Sequence, residues 1–245
     1  MNAETGIQFQ LVPRAELTAA QMDAMFQLLA QHFDGVTREQ FARDLSEKTL
    51  ALLLQRGDRL VGFSTQLAYT TIFESEQVNV IYSGDTIVAP EAWGTTALPR
   101  AWVAGVQALR ATLPRGRCFW LLLTSGFRTY RFLPVFWREF FPRFDLPTPP
   151  EMQRLLIQLA QERFGTQFDS AAGVVRFTCP QRLCAGLETI PPGRDRDPHT
   201  LFFLARNPGH SNGDELACIT ELCPENLTAA GRRMMPSHEL ASHHC

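Results

Sequence analysis

Ile7, Phe9 and Leu11 alternate with polar neighbours in Gly6 to Val12, the period-two pattern of a half-buried strand. The pattern then lengthens. Met22, Met25, Phe26, Leu29 and Phe33 recur at helical spacing behind Thr18, a good N-cap. Thr37, followed by Glu39 and Gln40, opens a second and shorter helix with Phe41 and Leu45 on one face. Thr49 to Gln55 and Leu60 to Thr70 read as strands joined at Arg56-Gly57-Asp58, a hairpin turn. Val78 to Val88 (VNVIYSGDTIV) is strongly β-prone and is expected to be the central strand.

Thr95 to Leu113 reads as a helix with Leu98, Trp102, Val106 and Leu109 on one stripe, and Pro99 fits its first turn. Phe119 to Thr124 is a buried strand. Phe127 to Phe141 is expected to be helical, with Pro134 kinking it or beginning it. Four prolines make Phe141 to Pro150 a connector, after which Glu151 to Phe164 is helical. Gly173 to Thr178, Leu201 to Arg206 and Asp214 to Leu222 are expected to be strands, and Pro191 to Pro198 a polar loop. The expected organisation is a core over residues 1–145, an α+β extension over 146–232 packed on the same domain, and a disordered tail over 233–245.

A meander of strands followed by a β-α-β unit gives an α/β fold: a mixed, mostly antiparallel central sheet flanked by helices on both faces. This order resembles the GNAT superfamily of acyltransferases over roughly residues 7–144. The resemblance is carried by Ile81 to Val106 (IYSGDTIVAPEAWGTTALPRAWVAGV). The family pattern there is a strand ending in Val-x-Pro, then Arg/Gln-x-x-Gly-x-Gly/Ala opening a long helix. Val88 and Pro90 match. Trp93 stands at the Arg/Gln position, Thr96 at the first glycine and Leu98 at the last Gly/Ala, while Gly94 occupies an open position. Backbone amides at such a helix N-terminus bind the phosphates of an acyl donor.

The resemblance implies an acyltransferase that moves an acyl group from an acyl thioester to an amine or hydroxyl of a small-molecule acceptor. The thioester is acyl-CoA or, given the altered loop, that of an acyl carrier protein, whose phosphopantetheine has one phosphate instead of a pyrophosphate. The alternative is a catalytically silent GNAT-like module that binds an acyl thioester or a partner protein. Val88, Gly94, Thr95, Thr96 and Ala97 are the implied donor-binding positions. Arg128 and Arg131, with Arg138 on the same face of a continuous helix, could hold phosphates or the acidic helix of a carrier protein.

In some members a carboxylate six residues before the motif's valine is the base, and Tyr82 stands there. Asp85, a carboxylate within an apolar strand, is costly to bury unless it is paired or used. It is expected to serve as a base, to hold the acceptor amine, or to pair with an arginine. Tyr82 and Asp85 lie on opposite pleats unless a bulge near Gly84 re-aims them. Tyr130 is the candidate for protonating the leaving thiolate, and the aromatics around it could line an acyl tunnel.

Charge and cysteine content narrow this further. The formal net charge of −2 gives no global basic field for nucleic acid. Lys48 is the only lysine; every other cation is arginine, which suits bidentate contacts. Met1 to Gln10 has no apolar h-region, and the longest apolar run is far short of the roughly 20 residues needed to cross a bilayer. A cytoplasmic location with reduced thiols follows. The spacing of Cys179 with Cys184, and of Cys218 with Cys223, is borderline for zinc, and no metal is expected. No G-x-S-x-G elbow accompanies His199 and His210.

Overall fold

The computed structural model describes residues 6–187, 190 and 193–235; His243, His244, Cys245 and most of the expected tail lie outside them. The chain begins with β1 (Ile7–Pro13), α1 (Ala19–His32), the short β2 (Phe33–Asp34) and α2 (Arg38–Ser46). Thr18 closes a capping box on α1, its hydroxyl accepting from Gln21 N while the Gln21 side chain accepts from Thr18 N. Thr37 caps α2 through Gln40 N. Three long strands follow: β3 (Leu50–Arg56), β4 (Arg59–Phe73) and β5 (Glu76–Val88). The β4–β5 hairpin turns on Glu74 and Ser75 at φ 48° and 70°, the left-handed geometry of a two-residue turn. α3 (Ala97–Arg110) then crosses to β6 (Cys118–Thr124).

Beyond β6 lie α4 (Phe127–Tyr130), α5 (Phe132–Phe136), α6 (Pro150–Phe164), β7 (Phe168–Asp169), β8 (Val174–Val175), β9 (Arg182–Leu183), α7 (Pro198–Arg206), β10 (Glu215–Glu221) and α8 (Ala229–Arg232). Among the described residues, eight strands form one sheet in the order β1-β3-β4-β5-β6-β10-β8-β7. Every neighbouring pair is antiparallel except β5 with β6. The mixed, mostly antiparallel sheet expected from the sequence is therefore the observed one. The extension contributes β10 directly beside β6.

Strand alternation sorts the core into two layers. On one face, Leu52, Leu54, Trp120 and Leu122 pack with Leu98, Ala101 and Trp102 of α3. On the other, Ala51, Leu53 and Phe63 meet Met25, Leu28 and Leu29 of α1 and Phe41 and Leu45 of α2. That second layer continues where Val78, Val80, Tyr82, Phe119 and Leu121 lie under Leu155, Leu156 and Leu159 of α6. The first is the α3 face of the sheet and the second its α2–α6 face.

Three expectations are corrected. Leu201 to Arg206 is helical, not a strand: Asp197 accepts from His199 N and Thr200 N, and Pro198 takes the first turn. Gly173 to Thr178 is a strand only at Val174–Val175, flanked by single backbone bonds in which Gly173 O accepts from Ala217 N and Gly173 N donates to Asp169 O. Phe127 to Phe141 is two short helices followed by extended chain, in which Trp137 bridges Leu227 and Phe141 bridges Ile219. Pro134 lacks the N–H that a continuous helix would use. The arginine stripe does not form as a result. Arg131 pairs with Asp197, and Arg143 pairs with Asp145 while donating to Arg138 O.

Candidate active site

Parallel pairing between β5 and β6 runs from Asn79↔Cys118 to Ser83↔Leu122 and then stops, so the strands diverge. Ser83 holds the last closed position on the α3 face, where its Oγ accepts from Trp102 Nε1 at 3.0 Å and Trp120 Nε1 at 2.8 Å. Beyond it a cavity of about 870 Å³ opens between the strands, lined from both faces of the sheet. That is ample for a ligand of drug size. On the α3 face its walls include Trp102, Trp120, Leu122 and Leu98; on the opposite face they include Lys48, Tyr82, Asp85, Arg163 and Glu215.

A bulge creates that second wall. The β4–β5 register shifts between Ser64 and Gln66, setting Thr65 against both Gly84 and Asp85. Val78, Val80 and Tyr82 face α6. One extra residue reverses the parity, and Ile87 joins the core under α1 and α2. Asp85, one pleat before Ile87, thus shares a face with Tyr82. Glu215 arrives from the far side of the cleft: Ala217 and Ile219 lie on the α2–α6 face, and Glu215 precedes Ala217 by one pleat.

Burial governs the ionisation of this group. It pushes Asp85 up to about 6, with Lys48 opposing and Asp44 adding to the shift. It pushes Glu215 up to about 8, and the charge of Asp85 adds to that rise. Tyr82 is raised by burial, with Arg163 opposing from 4.3 Å over its ring. The cation facing Asp85 is a lysine and not an arginine. Arg163 donates to Glu47 at 2.8 Å, and its buried Nε has no hydrogen-bond partner among the described residues.

The other end of the cavity is built from backbone. Gly94 adopts φ 77°, a left-handed turn that glycine takes without strain. The amides of Gly94, Thr95 and Thr96 donate to no backbone carbonyl among the described residues, and Thr96 caps α3 without a side-chain bond. Trp93 folds back so that its indole N–H donates to Val88 O at 2.7 Å. Arg128 stacks on that indole at 4.1 Å and leaves a buried Nη1 without a partner among the described residues.

Of the residues singled out from the sequence, Tyr82, Asp85, Val88, Gly94, Thr95 and Arg128 line the cavity, with Thr96 and Ala97 continuing the same turn into α3. Arg131 and Tyr130 lie elsewhere. Tyr130 is fully buried and its hydroxyl donates to Pro142 O at 2.9 Å, within a cluster of Phe140, Phe203 and His199. Phe127 and Phe132 reach the cavity, whereas Trp137 and Phe140 fill the core. Sequence reasoning missed Lys48, Arg163 and Glu215 as cavity residues. Lys48 carried a visible signal as the single lysine, and Glu215 as an acid opening an apolar strand.

A mixed sheet splayed at one parallel junction, with a glycine-bearing turn opening the next helix, is the GNAT-like architecture that the resemblance implied. No protein-family model and no curated protein matches the chain. Similar solved structures include a probable N-acyltransferase of Enterococcus faecalis, 16% identical over 54% of this chain with a TM-score of 0.41. The chain covers 33% of that protein's length. The GNAT-family N-acetyltransferase YhbS of Escherichia coli, in complex with CoA, is 12% identical over 54% of this chain and 70% of its own, with a TM-score of 0.40. Escherichia coli ElaA is 16% identical over 58% of this chain and 95% of its own, with a TM-score of 0.38. No helix among the described residues is long and apolar enough to cross a membrane.

Proposed function

We propose that the chain is an acyltransferase that takes an acyl group from a thioester and delivers it to an amine or hydroxyl of a small-molecule acceptor. The observation that carries this reading is the bulge at Gly84, which turns Tyr82 and Asp85 into one cavity whose other end presents unpaired amides. The splayed edge of β5 beyond Ser83 has no partner strand on the β6 side, so its peptide groups are available to a pantetheine arm. Gly94, Thr95, Thr96 and Arg128 suit one phosphate. Trp93, Thr96 and Leu98 replace the motif's Arg/Gln and small residues, and Pro99 removes one amide, which favours the phosphopantetheine of an acyl carrier protein over the pyrophosphate of acyl-CoA.

The acceptor enters on the α2–α6 face. Asp85 takes its proton as the nucleophile attacks the thioester carbonyl; a base near neutrality is efficient in that task. Glu215, which stays protonated to higher pH, supplies the proton to the departing thiolate in place of Tyr130. Two carboxyl groups with separated ionisation divide the acid and base roles. Tyr82 and Arg163 orient the acceptor beside them.

The test is thiol release from acetyl-CoA and from acyl carrier protein thioesters of several chain lengths, with small amines as acceptors. Release that depends on the acceptor supports transfer. Binding of the thioester without release would replace this reading with the silent module, which the altered motif residues Trp93, Thr96 and Leu98 favour.

A further inference from the structure

Lys48 is the only lysine in the chain, and it is buried, 7% exposed, where lysine is normally a surface residue. It follows the C-terminal end of α2, and its stem crosses the backbone of Gly84. A Cβ at Gly84 would collide with that stem and lie 2.6 Å from Thr65 Oγ1. The ammonium ends 5.2 Å from the centroid of the Tyr82 ring, on the cavity wall that carries Asp85. An acceptor amine must lie beside the base at the point where the strands part. The protein places an amine of its own at that point.

Building on the acyl-transfer reading above, we propose that Lys48 is itself an acyl acceptor, so that the protein acylates its single lysine from a thioester bound in the cavity. The uncharged Nζ attacks the thioester carbonyl, forming the C–N bond. The C–S bond then breaks and the thiolate leaves with its electron pair. The surplus proton on nitrogen passes to Asp85 and from the carboxyl groups to the thiolate. The product is a neutral amide, which no longer offsets the charge of Asp85 and fills the acceptor end of the cavity with the acyl group.

Burial favours the uncharged form of Lys48 against most of its charged neighbours. Asp44 faces it from α2, Glu47 from the C-cap of that helix, Asp85 and Tyr82 from β5, and Arg163 from α6. Burial, with Arg163 adding to it, holds the ammonium below the usual lysine range against the three carboxylates. A larger fraction is therefore free amine near neutrality.

Incubation of the full chain with acetyl-CoA, and separately with S-acetylpantetheine, tests the proposal by intact mass, peptide mapping and parallel thiol release. One acetyl group on Lys48 is expected, appearing at least about tenfold faster than on the urea-unfolded chain, with Asp85→Asn slowing it by a similar factor. Lys48→Arg removes the label, and Lys48→Met serves as the second variant should arginine not fit. Equal labelling of folded and unfolded chains overturns the proposal. Acceptor-dependent thiol release with Lys48 unmodified overturns it too, while leaving the transfer reading intact. Absence of both release and label sinks the two together.

Discussion

The two ends of the cavity are built from different materials. At the α2–α6 end, four side chains, Lys48 from the loop after α2, Asp85 on β5, Arg163 on α6 and Glu215 on β10, converge on one wall. At the α3 end, the groups on offer are the amides of a glycine turn and one arginine held on an indole. Side chains can change ionisation state and exchange protons; backbone amides can only grip. Under the proposed function, chemistry and acceptor choice therefore belong to the first end, and donor retention to the second.

Substitutions at the two ends should fail differently. Asp85→Asn removes the proposed base without changing the shape, and turnover should fall by about 100- to 10,000-fold. Burial outweighs Lys48 in setting the ionisation of Asp85. Its folded value lies above the unfolded one, so the folded state holds the extra proton, and stability falls as pH rises from about 4 through about 6. Asp85→Asn should accordingly melt no lower than the parent at pH 7; a large drop would return Asp85 to the role of a structural ion-pair member. Glu215→Gln should lower turnover about 100-fold and abolish the fall in rate expected as pH passes about 8. A rate profile without that alkaline limb in the parent protein would remove Glu215 from the acid role.

At the other end, Arg128→Ala should raise the KM for the thioester about tenfold with kcat unchanged, the mark of lost uniform binding. A drop in kcat instead would erase the distinction between the ends. Smallest of all, Tyr130→Phe should leave turnover within about twofold and cost about 1 kcal/mol of stability, measured by urea unfolding, from the lost bond to Pro142 O. Strong loss of turnover there would show that Tyr130 reaches the reaction after all.

The sheet was legible because β1 alternates, β3 to β6 are β-prone or apolar runs bounded by turns, and the first helices carry caps, as Thr18 and Thr37 show. The region after β6 was not. The run Leu201 to Leu204 is apolar at every position, so it has no period, and the decisive signal lay just before it in Asp197 and Pro198. Within the site, Tyr82 and Asp85 sit on one strand, and Gly84 between them marked the place of the bulge. Lys48, Arg163 and Glu215 are separated from Asp85 by dozens of residues, and only tertiary packing brings them to it. Tyr130 was chosen by its neighbourhood in the chain, which does not reveal that its hydroxyl is spent on a carbonyl.

The place of β10 beside β6 also matters while the protein is being made. Cys118 to Thr124 (CFWLLLT) is buried along its whole length, and one of its edges is covered by residues 216–221. A ribosome must add about ninety residues after that strand before its cover emerges, on the order of 5–20 seconds at typical elongation rates. During that interval an apolar edge stands open to any passing strand, and Glu215 is not yet present. The nascent protein is thus at its stickiest before it owns a complete site, and holding that edge apart until the last strand arrives is work for a chaperone.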